Sequence, residues 1–104
     1  MPTTADLETY FVECRARDGI LYVPEFWLGQ SRAQVVKGIQ SGQVWRPNAV
    51  IYLNPVEGVC RDVTEDVMHD VAALARDEGY LHAEALEWIE RVDPELANAI
   101  RWAA

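Results

Sequence analysis

The chain has 104 residues, a mass of 11.8 kDa and a formal net charge of -8, with seventeen Asp and Glu against nine Lys and Arg. Half of its residues are apolar or aromatic and a quarter are charged, a composition that excludes disorder and predicts one folded domain over residues 1–104. With a single lysine and a strong acidic excess, it lacks the basic groove that phosphate backbones need, so direct nucleic-acid binding is not expected.

Met1–Leu7 shows no basic stretch leading into an apolar run. No window approaches the roughly 18 apolar residues of a membrane span, so the expected location is cytoplasmic, without membrane contact. The first element in chain order is a β-hairpin. Thr9-Tyr10-Phe11-Val12-Glu13-Cys14-Arg15 is rich in aromatic and β-branched residues, and Ile20-Leu21-Tyr22-Val23 follows Asp18-Gly19, a dipeptide suited to a two-residue type I′ turn. That turn puts Arg17 opposite Ile20 and Cys14 opposite Val23. Tyr10, Val12, Cys14, Ala16, Leu21 and Val23 then share the core face, while Phe11, Glu13, Arg15 and Tyr22 share a second, half-apolar face.

Pro24 ends the hairpin, and Glu25-Phe26-Trp27-Leu28-Gly29 reads as a connector. Ser31 with Gln34 three residues on is a capping box, opening a short helix over about 32–41 that Gly42 stops. Its Val35, Val36 and Ile39 form a narrow apolar stripe. Trp45-Arg46-Pro47-Asn48 is a second connector, and Ala49-Val50-Ile51-Tyr52-Leu53 reads as a buried strand broken by Asn54-Pro55. Gly58-Val59-Cys60 is a candidate fourth strand.

The remainder reads as helix. Asp62 is the expected N-cap with Glu65 as its capping-box partner, and Val63, Val67, Val71, Leu74 and Ala75 recur at three and four up to Gly79. A second helix over about 81–92 turns Leu81, Ala85, Trp88, Ile89 and Val92 inward, with His82 as a cap or surface residue. Asp93-Pro94 starts a third, burying Leu96 and Ile100. The order ββαββααα predicts an α+β fold. Its small, mainly antiparallel sheet combines the N-terminal hairpin with one or two further strands, and one short helix and two to three C-terminal helices pack on it.

Charge is the strongest functional signal. Residues 1–48 hold five acids and five bases, whereas residues 49–104 hold twelve acids and four bases. Such a half projects a negative field that attracts basic partners and speeds their association. Asp62, Glu65, Asp66, Asp70 and Asp77 mark one helix, and Glu84, Glu87 and Glu90 the next. Carboxylates one turn apart sit about 5–6 Å from each other, near the spacing of phosphates along a strand. These eight acids are the candidate partner-binding surface, and the alternative is a solvated face with Glu87 paired to Arg91.

No phosphate loop, G-x-S-x-G elbow, H-E-x-x-H pair or calcium loop occurs, and no catalytic residue or cofactor is assigned. His69 with Glu65, Asp66 and Asp70 is the nearest approach to a metal-dependent enzyme site, but a helix face of acids with one histidine is ordinarily solvated, so no metal ligand is assigned. Cys14 and Cys60 lack a C-x-x-C spacing and read as small buried hydrophobes. Phe26, Trp27 and Trp45, with Phe11, form a candidate aromatic interface, suited to a twofold homodimer through Phe26 or Trp27.

The expected function is therefore a non-enzymatic acidic protein-binding module whose partner carries a basic surface. Small acidic inhibitors of nucleic-acid-handling machines, of the phage-encoded anti-CRISPR or DNA-mimic kind, compare with it in size and charge. A self-associating structural or accessory subunit and a metal-dependent enzyme around His69 are the alternatives.

Overall fold

The computed structural model describes residues 8–103, and side chains through Arg101. Met1–Leu7, on which the leader reading rests, and the Trp102 side chain lie outside that range. The elements are β1 (Thr9–Arg15), β2 (Leu21–Tyr22), a 3-10 turn (Glu25–Trp27), β3 (Leu28–Gln30), α1 (Arg32–Ser41), β4 (Pro47–Asn54), β5 (Val59–Asp62), α2 (Thr64–Glu78), α3 (Ala83–Val92) and α4 (Pro94–Ala103). No helix is long and apolar enough to cross a membrane among the described residues.

The fold is α+β. The antiparallel sheet runs β2-β1-β4-β5, and β3 pairs with the same edge of β1 as β2, further along the strand. Register assigns the faces. Val12 lies opposite Val50 and Tyr10 opposite Tyr52, so even-numbered residues of β1 and β4 share the inner face; Phe11 opposite Ile51 and Thr9 opposite Leu53 define the outer one. Every sheet residue that belongs to or packs on the hydrophobic core is on the inner face: Tyr10, Val12, Cys14 and Val50. Against them pack Val35 and Ile39 of α1, Val67, Met68 and Val71 of α2, Ala85, Trp88 and Ile89 of α3, and Ala97 of α4.

Trp88 is 1% exposed, and its indole Nε1 donates to the Asn48 carbonyl at 3.1 Å, which satisfies the polar atom of a buried ring. α1 is the clearest case of local sequence dictating structure. Ser31 accepts from the Gln34 amide at 3.2 Å, Gln34 accepts in return from the Ser31 amide at 3.1 Å, and Gly42 ends the helix at φ 86°.

The hairpin departs from the expected register. Cys14 faces Tyr22 and Arg15 faces Leu21, one position away from the two-residue turn. The Gly19 amide donates to Ala16 O at 2.9 Å and the Ala16 amide to Ile20 O at 2.8 Å, with Gly19 at φ 89°. This is a three-residue loop with the glycine in the left-handed bulge position. A slip of one residue exchanges faces, so Tyr22, not Leu21 or Val23, shares the inner side with Cys14, although all three are exposed beyond the reach of the helices, at 41%, 46% and 39%.

Two further elements differ from expectation. The connector after Pro24 contains the 3-10 turn and β3, which joins β1 through a register shift at Tyr10/Phe11, where Gly29 adopts φ 93°. α2 begins at Thr64 rather than at a capped Asp62, and its N-cap position, Val63, has no side-chain hydrogen bond. Asp62 still serves the helix start, because its carboxylate accepts from the Thr64 amide at 2.9 Å and from the Thr64 hydroxyl. Val59–Asp62 pairs with β4 as the fourth strand of the main sheet order.

Candidate functional site

The eight candidate acids divide by duty. Asp70 pairs with Arg32 at 2.7 Å, and this hydrogen bond raises the Arg32 pKa against the opposing effect of burial. Glu90 pairs with Arg101, and Asp62 holds Thr64. Glu65, Asp66, Asp77 and Glu87 are exposed and form no ion pair among the described residues, while Glu84 is half-buried. α2 packs against α1 and α4, and α3 against α4 and α1, so the two acidic rows are joined through these helices rather than laid along one another.

Three of the acids converge. Asp62, Glu65 and Asp66 line an open depression of about 500 Å³ between the start of α2 and the end of α3, with Asn48, Val63, Thr64 and Val92 completing its wall. Glu65 and Asp66 occupy the first turn of α2, where the helix dipole favours negative charge by about 0.3–1 kcal/mol each. They therefore have a structural use at the start of the helix. Asp62 and Asp66 also reach a neighbouring polar hollow of about 340 Å³ that contains Tyr10, Tyr52, Arg32 and Arg61. Here the two tyrosine rings meet at 5.3 Å, with the Arg32 guanidinium 6.0 Å from the Tyr10 ring and that of Arg61 5.3 Å from Tyr52.

His69 is exposed on α2, and among the described residues no three His, Cys, Asp or Glu side chains form a group able to hold a metal ion. His82 is the N-cap of α3, its Nδ1 accepting from the Glu84 amide at 3.1 Å. Cys14 is buried, whereas Cys60 is exposed, which corrects its reading as a core residue. Trp27 is 6% exposed and rests on Gly38 of α1, so it is a core residue rather than part of a free aromatic surface. Phe26 stacks edge-on against it at 5.0 Å and is 67% exposed, and Trp45 is 41% exposed.

Sequence reasoning missed a basic cluster. Arg17 and Arg46 lie 5.9 and 5.4 Å from the Trp45 ring, Arg91 donates to Pro47 O at 3.0 Å, and Arg15 donates to Asn48 Oδ1 at 3.0 Å. Four arginines from three separate stretches of the chain thus meet at residues 45–48, and none forms an ion pair among the described residues. Arg46 also sits at φ 52°, an uncommon conformation for a residue other than glycine. The neutral balance of residues 1–48 concealed this. A signal was present in the Trp45-Arg46 dipeptide, but bringing Arg17 and Arg91 to it required the tertiary fold.

Compared with known proteins, the chain matches no family model, no curated protein and no solved structure.

Proposed function

We propose that the protein is a non-enzymatic acidic binding module for a protein partner with a basic surface. The observation that carries this reading is the convergence of Asp62, Glu65 and Asp66 on one open depression of about 500 Å³. A lysine or arginine entering it meets three carboxylates clustered at the start of α2, and the exposed Asp77 and Glu87 extend the attractive field outward. Inhibition of a nucleic-acid-handling machine, with these carboxylates in place of phosphates, is the specific form of this proposal.

The test is association kinetics of the parent chain and of Glu65→Gln/Asp66→Asn against a partner recovered from the native host. The double variant keeps Asp62 and therefore the Thr64 hydrogen bonds. Steering predicts a severalfold slower on-rate for the variant at low salt, and a difference that vanishes as the screening length falls from about 10 Å at 0.1 M to about 3 Å at 1 M. Equal on-rates for the two proteins at every salt concentration reject the proposal.

A further inference from the structure

Trp45 and Arg46 end the connector from α1 to β4, and the amide of Arg15, the last residue of β1, donates to Arg46 O at 3.0 Å, which brings the loop after β1 alongside them. Trp45 is 41% exposed there, with the guanidinium of Arg17 5.9 Å and that of Arg46 5.4 Å from its ring. Arg15 and Arg91 donate to neutral oxygens beside it, Asn48 Oδ1 and Pro47 O, and Arg15 Nε is enclosed without a hydrogen-bond partner. The acids close to these arginines in sequence are engaged elsewhere or stand apart. Glu13 accepts from Asn48 Nδ2 at 2.7 Å, Asp18 from the Ile20 amide at 3.1 Å and Asp93 from the Leu96 amide at 3.2 Å; Glu90 pairs with Arg101, and Glu87 is exposed and forms no ion pair among the described residues. Arg46 stands at φ 52°, a backbone conformation that glycine or asparagine adopts at lower cost. Local folding chemistry therefore does not account for an arginine at this position.

We infer that this corner recognises the carboxylate side chains of an acidic protein segment, with Trp45 as an apolar plate and Arg17 and Arg46 as the cations that grip. A guanidinium about 6 Å or less from an aromatic face is attracted to it, so both cations are positioned before an anion arrives. The planar guanidinium fork then matches a carboxylate with two parallel hydrogen bonds. Tryptophan and arginine are also the residue types that dominate binding hot spots between proteins. Charge selects the class of ligand. A nucleic-acid strand carries a phosphate at every step and would be opposed by the net charge of -8 and by Asp62, Glu65 and Asp66, whose depression shares Asn48 with this corner. A segment of two or three carboxylates is short enough to engage the arginines alone. The inference does not depend on what enters the depression.

The test is a titration of the isotope-labelled full chain at low salt with end-capped triglutamate, and separately with tetrathymidylate, which carries the same number of negative charges. The signals followed are the Trp45 indole N–H and the Nε–H groups of Arg17 and Arg46. Triglutamate is expected to shift all three saturably, and Arg46→Asn to bind it severalfold more weakly without a lower thermal midpoint, because asparagine suits the left-handed backbone. Arg17→Gln, at an exposed loop position, should weaken binding likewise and supplies the comparison if circular dichroism shows Arg46→Asn unfolded. A parent whose three signals do not respond saturably to triglutamate overturns the inference. So does tighter binding of tetrathymidylate, which would assign the corner to nucleic acid. Unchanged triglutamate affinity in the folded variants also overturns it and leaves these arginines a structural role. None of these outcomes alters the on-rates expected of Glu65→Gln/Asp66→Asn, so the two proposals fail separately.

Discussion

Val12 and Phe11 are neighbours in β1, and Val50 and Ile51 are neighbours in β4, yet each pair is divided between two environments. Val12 and Val50 are 0% exposed beneath the helices, and Phe11 and Ile51 face away from them outside the core. In β4 the two faces are similarly apolar, with Ala49, Ile51 and Leu53 on one side and Val50 and Tyr52 on the other, so hydrophobicity alone does not decide which side of this strand is covered. The helices decide it. α1, α2, α3 and α4 each contribute residues to the inner cluster, and an apolar side chain is stabilised there by contacts that its outer neighbour lacks within the monomer.

The comparison breaks most easily at the centre of the covered side. Trp88→Ala leaves a large cavity and an unpartnered Asn48 carbonyl, and is expected to cost about 3–5 kcal/mol in denaturant unfolding. A loss of less than about 1 kcal/mol would mean that the helices do not bury this ring. A smaller effect is expected from Gly38→Ala, because a Cβ there collides with the Trp27 ring. Overpacking of this kind costs about 1–3 kcal/mol, and it should be accompanied by altered near-ultraviolet dichroism.

On the other face, Phe11→Ser should cost about 1 kcal/mol or less at concentrations where the protein is monomeric, since it loses cross-strand contacts but opens no cavity. Equal costs for Phe11→Ser and Trp88→Ala would show that the outer face is covered by the chain itself. The cysteines give the finest distinction. Burial, assisted by the charge of Glu13, pushes the Cys14 thiol up to about 11 from 9.0. Its protonated form is therefore favoured by folding, a contribution held below pH 9 and lost as pH rises through the shifted value. In dilute protein at pH 8, iodoacetamide should modify Cys60 and spare Cys14, which mass spectrometry of the intact and digested chain reads directly.

Where neighbouring residues alone determine structure, the sequence was legible. The Ser31–Gln34 box, the Gly42 stop, the Asp93-Pro94 start of α4 and the inward placement of Trp88 all follow from local chemistry. The hairpin loop was not, because Asp18-Gly19 suits both a two-residue turn and the three-residue loop that forms, and pairing with β4 and β3 bears on the choice. β3 was hidden for a related reason. Leu28-Gly29-Gln30 has no strand pattern of its own and becomes one only because β1 offers a free edge beyond the short β2. At the candidate site, the acids of α2 and α3 were visible by type, but their division into ion-paired Asp70 and Glu90 and, among the described residues, unpaired Glu65 and Asp66 depends on where Arg32 and Arg101 arrive.

The shared edge of β1 also governs how far any assembly of this protein can grow. Two residues of β2 and three of β3 divide that edge, with Gly29 and a register shift at β3. Strand addition needs a continuous ladder of free amides and carbonyls, and such short, offset pieces are poor templates for it. The opposite edge, β5, is four residues long and carries Arg61 and Asp62. A molecule able to offer a backbone ladder on one side alone can pair a strand there, but it cannot pass that pairing on to a third copy, so strand addition ends at a pair instead of running on into a fibre.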